Sequence, residues 1–118
     1  MAETLINVFT VERDSEDEFL CHWRRTTEVF RTMPGFIETH LHRNTGVGDQ
    51  TFQFVNVARW TSAEAWRDTH DAYRPTEYGV PGVKGHPAIF RTVANVYSDA
   101  LPEGGRAEHW IATDPDAS

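Results

Sequence analysis

Through "TLINVFTV" (Thr4–Val11) apolar side chains fall on both faces of a run rich in β-branched residues. The pattern predicts a strand with Leu5, Asn7 and Phe9 on one side and Ile6 and Val8 on the other. The period then changes. In "SEDEFLCHWRRTTEVFRTM", Phe19, Trp23, Thr27 and Phe30 recur at helical spacing and form a buried stripe. Ser15 with Glu18 has capping-box spacing, acids crowd the first turn, Arg31 lies near the end, and Pro34–Gly35 stops the helix. A strand over Phe36–Asn44, a hairpin loop "TGVGDQ" and an antiparallel strand over Thr51–Trp60 follow. On the latter, Phe52, Phe54, Asn56, Ala58 and Trp60 share one face, Val55 and Val57 the other. Thr61 and Glu64 repeat the capping-box spacing and open a second helix that runs to about Asp71. The segment "YRPTEYGVPGVKGHP", with three Pro and three Gly, reads as a loop, and "AIFRTVANVY" (Ala88–Tyr97) as a fourth strand.

The order β-α-β-β-α-β predicts an α+β fold, the ferredoxin-like sandwich, with one antiparallel sheet and two helices on one face. Its 118 residues suit one domain, placed at 1–98, followed by a polar acidic tail at 99–118 with an isolated His109–Trp110–Ile111. Two helices cover one side of a sheet, yet Ile6, Val8, Val55 and Val57 make the other side apolar as well. An open apolar face is an association site, so the pattern predicts a homodimer with its two sheets face to face.

A net charge of −7 without a basic patch argues against nucleic acid as a partner. No apolar run approaches the roughly 20 residues of a membrane span, and the first residues do not read as a signal peptide. The single Cys21 permits no internal disulfide and fits a cytoplasmic protein; its place in a helix reads as a buried, inert thiol.

Chemistry gathers around "FVNVARWTSAEAWRDTH". Asn56 lies between Phe54 and Ala58 on an apolar face, and Asn7 is the lone amide of its strand. A buried amide needs partners, which structure or ligand can supply. Trp60 and Trp66 are either core or pocket wall. His70 falls one helical turn after Trp66, either exposed or a proton acceptor. His86, before Pro87, reaches a pocket mouth or shapes the turn, and Tyr73 and Tyr78 flank a loop able to close over an apolar ligand. Glu38, His40 and His42 share a strand face and offer three metal ligands, but with no fourth evident no metal site is assigned.

Together with "MPGFIETHLHRN" before it and "HPAIFRTV" after it, this stretch resembles the antibiotic biosynthesis monooxygenase (ABM) superfamily over roughly residues 4–98. The resemblance implies a dimeric α+β barrel of ferredoxin-like protomers. It also implies a small aromatic substrate, a polyketide-like phenol or anthrone, oxidised by O₂ without a cofactor through a substrate carbanion. In that template Asn56 and Trp60 hold the substrate's oxygens, Trp66 stands where a Tyr is usual, and Arg74 is the nearest candidate for a loop Arg. A haem-degrading branch matches Asn7 and Trp66, but Pro75, Thr76 and Glu77 stand where its iron-ligating His belongs, which disfavours haem. The scaffold also admits a non-redox cyclase or isomerase using His70 or His86 as base, or a non-catalytic binding protein.

Overall fold

The pairing of Glu3–Val11 (β1) with Phe54–Trp60 (β3) and Val83–Phe90 (β4), in a computed structural model that describes residues 2–73 and 79–100, builds the centre of one antiparallel sheet. Phe36–Arg43 (β2) adds to the far side of β3, giving the order β2-β3-β1-β4. Helices Glu16–Phe30 (α1) and Ala63–Tyr73 (α2) connect the strands in the predicted β-α-β-β-α-β sequence and pack on one face. This is the ferredoxin-like α+β fold.

The core lies between helices and sheet in two clusters. Leu5, Ala58 and Trp60 pack with Phe30, Phe36 and Trp66 at one end. Val11, Phe19 and Phe54 pack with Phe9, Leu20 and Leu41 at the other. Trp60 and Phe54 are the largest fully buried side chains; burying each stabilises the fold by about 1.5–3 kcal/mol. From Phe54 to Trp60 the sheet alternation follows the pattern read from the chain; Phe52, expected on the same face, precedes the strand and lies instead beside the outward His86 ring. Asn7 is paired directly with Asn56, and both fall on the helix side between the two clusters. Ile6, Val8, Val55 and Val57 take the opposite side and stay partly exposed.

A bulge in β2 decides which of its residues face the core. Pairing jumps from Phe36↔Trp60 to Glu38↔Arg59, so Ile37 is the extra residue. Phe36 faces inward before it, and Thr39 and Leu41 face inward after it. Glu38, His40 and His42 therefore share the outer face, where His40 Nε2 lies 3.2 Å from Glu38 Oε2. Among the described residues no three His, Cys, Asp or Glu side chains converge as a metal site.

Several boundaries differ from the sequence reading. The fourth strand is Val83–Phe90, not Ala88–Tyr97; residues 91–98 are irregular and exposed. Gly85 and Pro87 look like loop punctuation, yet β4 is an edge strand, and an edge tolerates a missing N–H. The third strand starts at Phe54 because Gln53 is drawn across to β1, its N–H bonding Phe9 O and its Oε1 accepting from Val11 N–H. Neither predicted cap forms. The Ser15 hydroxyl donates to Pro81 O at 2.6 Å, tying the start of α1 to the approach to β4. Ser62, not Thr61, caps α2 by accepting the Ala65 N–H at 3.0 Å. Cys21 is exposed, because it lies two residues past Phe19 and off the buried stripe. Glu3, 5% exposed, is balanced by Arg91, whose Nη2 stands 2.7 Å from its carboxylate.

At Gly35, φ is +88° and an added Cβ would lie 2.6 Å from Ala65 Cβ. The turn after α1 thus needs both the left-handed backbone and the absent side chain. Gly35→Ala should lower stability by about 2–4 kcal/mol in a denaturant titration.

Candidate functional site

Where the two apolar clusters part, a cavity of about 300 Å³ opens between the sheet and the helices. Its floor is the inner sheet face at Asn7, Asn56 and Trp60; α1 roofs it through His22, Trp23 and Thr26, and α2 adds Trp66 and His70. Its size is at the low end for a small-molecule site, and its lining, mostly apolar with a few polar groups, is typical of one.

The polar groups are held in set orientations. The His86 backbone N–H donates to Asn7 Oδ1 at 2.8 Å. A backbone N–H can only donate, so the Asn7 amide must present its oxygen to β4. Its Nδ2, with no hydrogen bond among the described residues, is left for the cavity. Gly85 permits this close approach, since a Cβ there would stand 2.9 Å from Phe9 Cε1 and 3.1 Å from Asn7 Oδ1. Asn56, 8% exposed, has its Oδ1 engaged by the Thr39 hydroxyl at 2.6 Å. Its Nδ2 is likewise uncommitted among the described residues. Trp60 is 1% exposed, and its indole N–H is buried with no partner among those residues. The Trp23 indole N–H is in the same condition. Each buried donor left unmatched costs about 1–3 kcal/mol.

Trp66 and His70 stack at 4.9 Å between ring centroids with 25° between planes. His70 Nδ1 lies 3.7 Å from Asp71 Oδ1 at the partly exposed end of the cavity. Among the described lining residues His22 and His70 are the two that carry an imidazole.

Five of the nine residues singled out from sequence thus meet in one cavity: Asn7, Asn56, Trp60, Trp66 and His70. Tyr73 stands behind its wall, edge-on to Phe30 at 5.4 Å. The His86 ring is on the opposite sheet face, 6.0 Å from Phe52; only its backbone N–H serves the site. The proposed mouth role of that ring is corrected accordingly, because β4 alternation puts Gly85 and Pro87 inward and His86 outward. Arg74 and Tyr78 lie outside the described residues. Sequence reasoning missed Thr39 and His22. Thr39 turns inward through a bulge that no composition signals. His22 was legible, lying three residues past Phe19 on the wide stripe that also includes Thr26.

The family model of the antibiotic biosynthesis monooxygenases matches residues 4–73, more than half of the chain. This chain belongs to the ABM family. Deoxynogalonate monooxygenase of Streptomyces nogalater is 32% identical over 108 residues, 86% of this chain and 81% of that protein. The structure of SnoaB, a cofactor-independent oxygenase from the same organism, superposes with a TM-score of 0.60 at 24% identity, covering 82% of this chain and 98% of that one. The heme-degrader MhuD of Mycobacterium tuberculosis superposes with a TM-score of 0.61 at 20% identity, covering 80% and 99%. At such identities the two structures speak for the ABM fold alone. The cavity with its two amides and Trp60 lies on strands within or beside the matched span.

Thr39→Val keeps the shape of the side chain but strips the donor from Asn56 Oδ1. Stability should fall by about 1–3 kcal/mol in chemical unfolding. A change below about 0.3 kcal/mol would show that the pair does not hold the amide.

Proposed function

We propose that this ABM protein is a monooxygenase that oxidises a small polycyclic phenol or anthrone of polyketide type with O₂. The observation that carries the reading is the pair of amides Asn7 and Asn56, whose oxygens are engaged and whose N–H groups are uncommitted among the described residues, set beside Trp60 between two apolar clusters. The apolar walls suit a flat aromatic ring system. The N–H groups suit oxygen atoms on its edge, most of all when those oxygens carry negative charge.

The chemistry runs as follows. His70, with His22 as the second imidazole of the cavity, accepts a proton from the substrate's activated CH₂. The carbanion left behind is a phenolate in its other resonance form, and the Asn56 and Trp60 N–H groups stabilise that oxygen. The carbanion gives one electron to O₂, and the radical pair closes a C–O bond to form a hydroperoxide. Loss of water then leaves a carbonyl. One oxygen atom enters the quinone and the other leaves as water. The four electrons that O₂ takes up come from converting CH₂ to C=O, so the balance calls for no further reductant. Trp66 stacked on His70 holds that imidazole against the apolar wall.

The residues fit haem poorly. Pro75, Thr76 and Glu77 occupy the stretch where the resemblance puts an iron ligand, and the His70 ring is laid flat against Trp66. The same proton acceptors suit a cyclase or isomerase, which would form product without consuming O₂.

Purified protein given anthrones and naphthols should take up O₂ in step with quinone formation. Asn56→Ala and Trp60→Phe should each lower kcat/KM by about 10–100-fold, the worth of a hydrogen bond to a charged oxygen. No O₂ uptake across the panel would overturn the oxygenase; product without uptake would assign the cyclase.

The working unit in this reading is a cytoplasmic homodimer of the domain at 1–98, with 99–118 as its tail, joined through the outer sheet face at Ile6, Val8, Val55 and Val57. No helix among the described residues is long and apolar enough to cross a membrane. Light scattering should give twice the 13.5 kDa chain mass, and Val57→Glu should halve it. A wild-type monomer would remove the dimer.

A further inference from the structure

Turning CH₂ into C=O removes two protons from one carbon, and the cavity holds two imidazoles. Its described lining contains no Asp, Glu, Lys, Arg, Cys or Tyr, so among the described residues proton transfer falls to His70 of α2 and His22 of α1. The two are placed differently. The His70 ring lies on Trp66 at 4.9 Å, at the partly exposed end of the cavity. His22 is half-buried in the middle of the helix that roofs the cavity, one turn before Thr26, which lines it too.

The shape of an anthrone divides the work between them. Its oxygen and its CH₂ lie at opposite edges of the central ring. With the oxygen against the floor amides Asn7 and Asn56, the CH₂ points to the helices. His70 takes the first proton. O₂ joining on the face that this proton vacated leaves the second hydrogen on the other face. His70 then returns its proton to the peroxide and so stands on the peroxide's side, away from that hydrogen. The other imidazole comes from the other helix. We infer that His22 is a second catalytic residue, the base that breaks down the hydroperoxide. It takes the remaining C–H proton, and the C–H electron pair becomes the second bond of the new carbonyl. The O–O bond breaks, and the distal oxygen leaves as hydroxide and collects the proton from His22 as water. Both rings end as they began, and no oxidant besides O₂ enters. This rests on the oxygenase reading and assigns its last step.

The test uses anthrone, with protein-free buffer as the blank. His22→Gln keeps a polar side chain of similar size without the base. It should form anthraquinone about 100-fold more slowly than wild type, the lower end of general-base catalysis, and release 10-hydroperoxyanthrone. O₂ consumed should then exceed quinone formed by about tenfold, a gap absent from wild type. Triphenylphosphine should convert the accumulated peroxide to 10-hydroxyanthrone, read by mass spectrometry. His70→Gln should instead slow uptake and quinone together. Imidazole added to His22→Ala should close the gap between O₂ and quinone, which a purely structural role would not allow. A second measurement needs no variant. Under argon, wild type should turn 10-hydroperoxyanthrone into anthraquinone about 100-fold faster than buffer does. O₂ and quinone in step in His22→Gln, at whatever rate, or no acceleration under argon, would overturn the assignment and leave the oxygenase standing. No O₂ uptake by wild type across the wider panel would overturn both.

Discussion

The direct pairing of Asn7 with Asn56 across β1 and β3 is the constraint from which the rest of the molecule follows. Strand side chains alternate, so this register puts both amides on the helix side. It also puts Leu5 beside Ala58 and Phe9 beside Phe54 on either side of them. A slip of one residue would turn the amides outward and the Val side chains of β3 into the core. The register also separates the core into two clusters. Polar amides cannot join either, and the cavity lies where the apolar packing parts.

Both amides then need their oxygens satisfied, and each finds a donor on a neighbouring strand. Asn7 uses the backbone of β4, which comes close enough because Gly85 has no side chain. Asn56 uses Thr39, turned inward by the bulge at Ile37. Irregular features of the two outer strands thus serve the same end, holding the amide N–H groups toward the cavity. Preorganised donors in a water-poor site act strongly on charge that develops in a bound ligand. The Trp60 and Trp23 N–H groups are buried and unmatched among the described residues, a cost in stability.

Much of this was legible in the chain. Helical and strand periods located the elements of the fold, and the alternation in "TLINVFTV" and "FVNVARW" assigned the inward residues correctly. Asn7, Asn56, Trp60, Trp66 and His70 were all chosen from sequence and all line the cavity. The errors lie where local signals compete with pairing. Gly85 and Pro87 read as loop, yet β1 recruits them as an edge strand. Ser15 and Thr61 sit at capping spacing, yet Ser15 bonds the chain before β4 and Ser62 takes the cap of α2.

Sequence by itself determined the element order, the two-sided apolar character of the sheet and the amide–indole motif, because these depend on local period and residue type. Only the tertiary structure decided that the His86 ring turns away while its backbone serves Asn7, that Thr39 reaches Asn56, and that His22 and Trp23 of α1 line the cavity above them. Each of these depends on a contact between distant segments or on a one-residue bulge. A shift of one position reverses the face a strand residue occupies, and nothing in its own neighbourhood along the chain reports it.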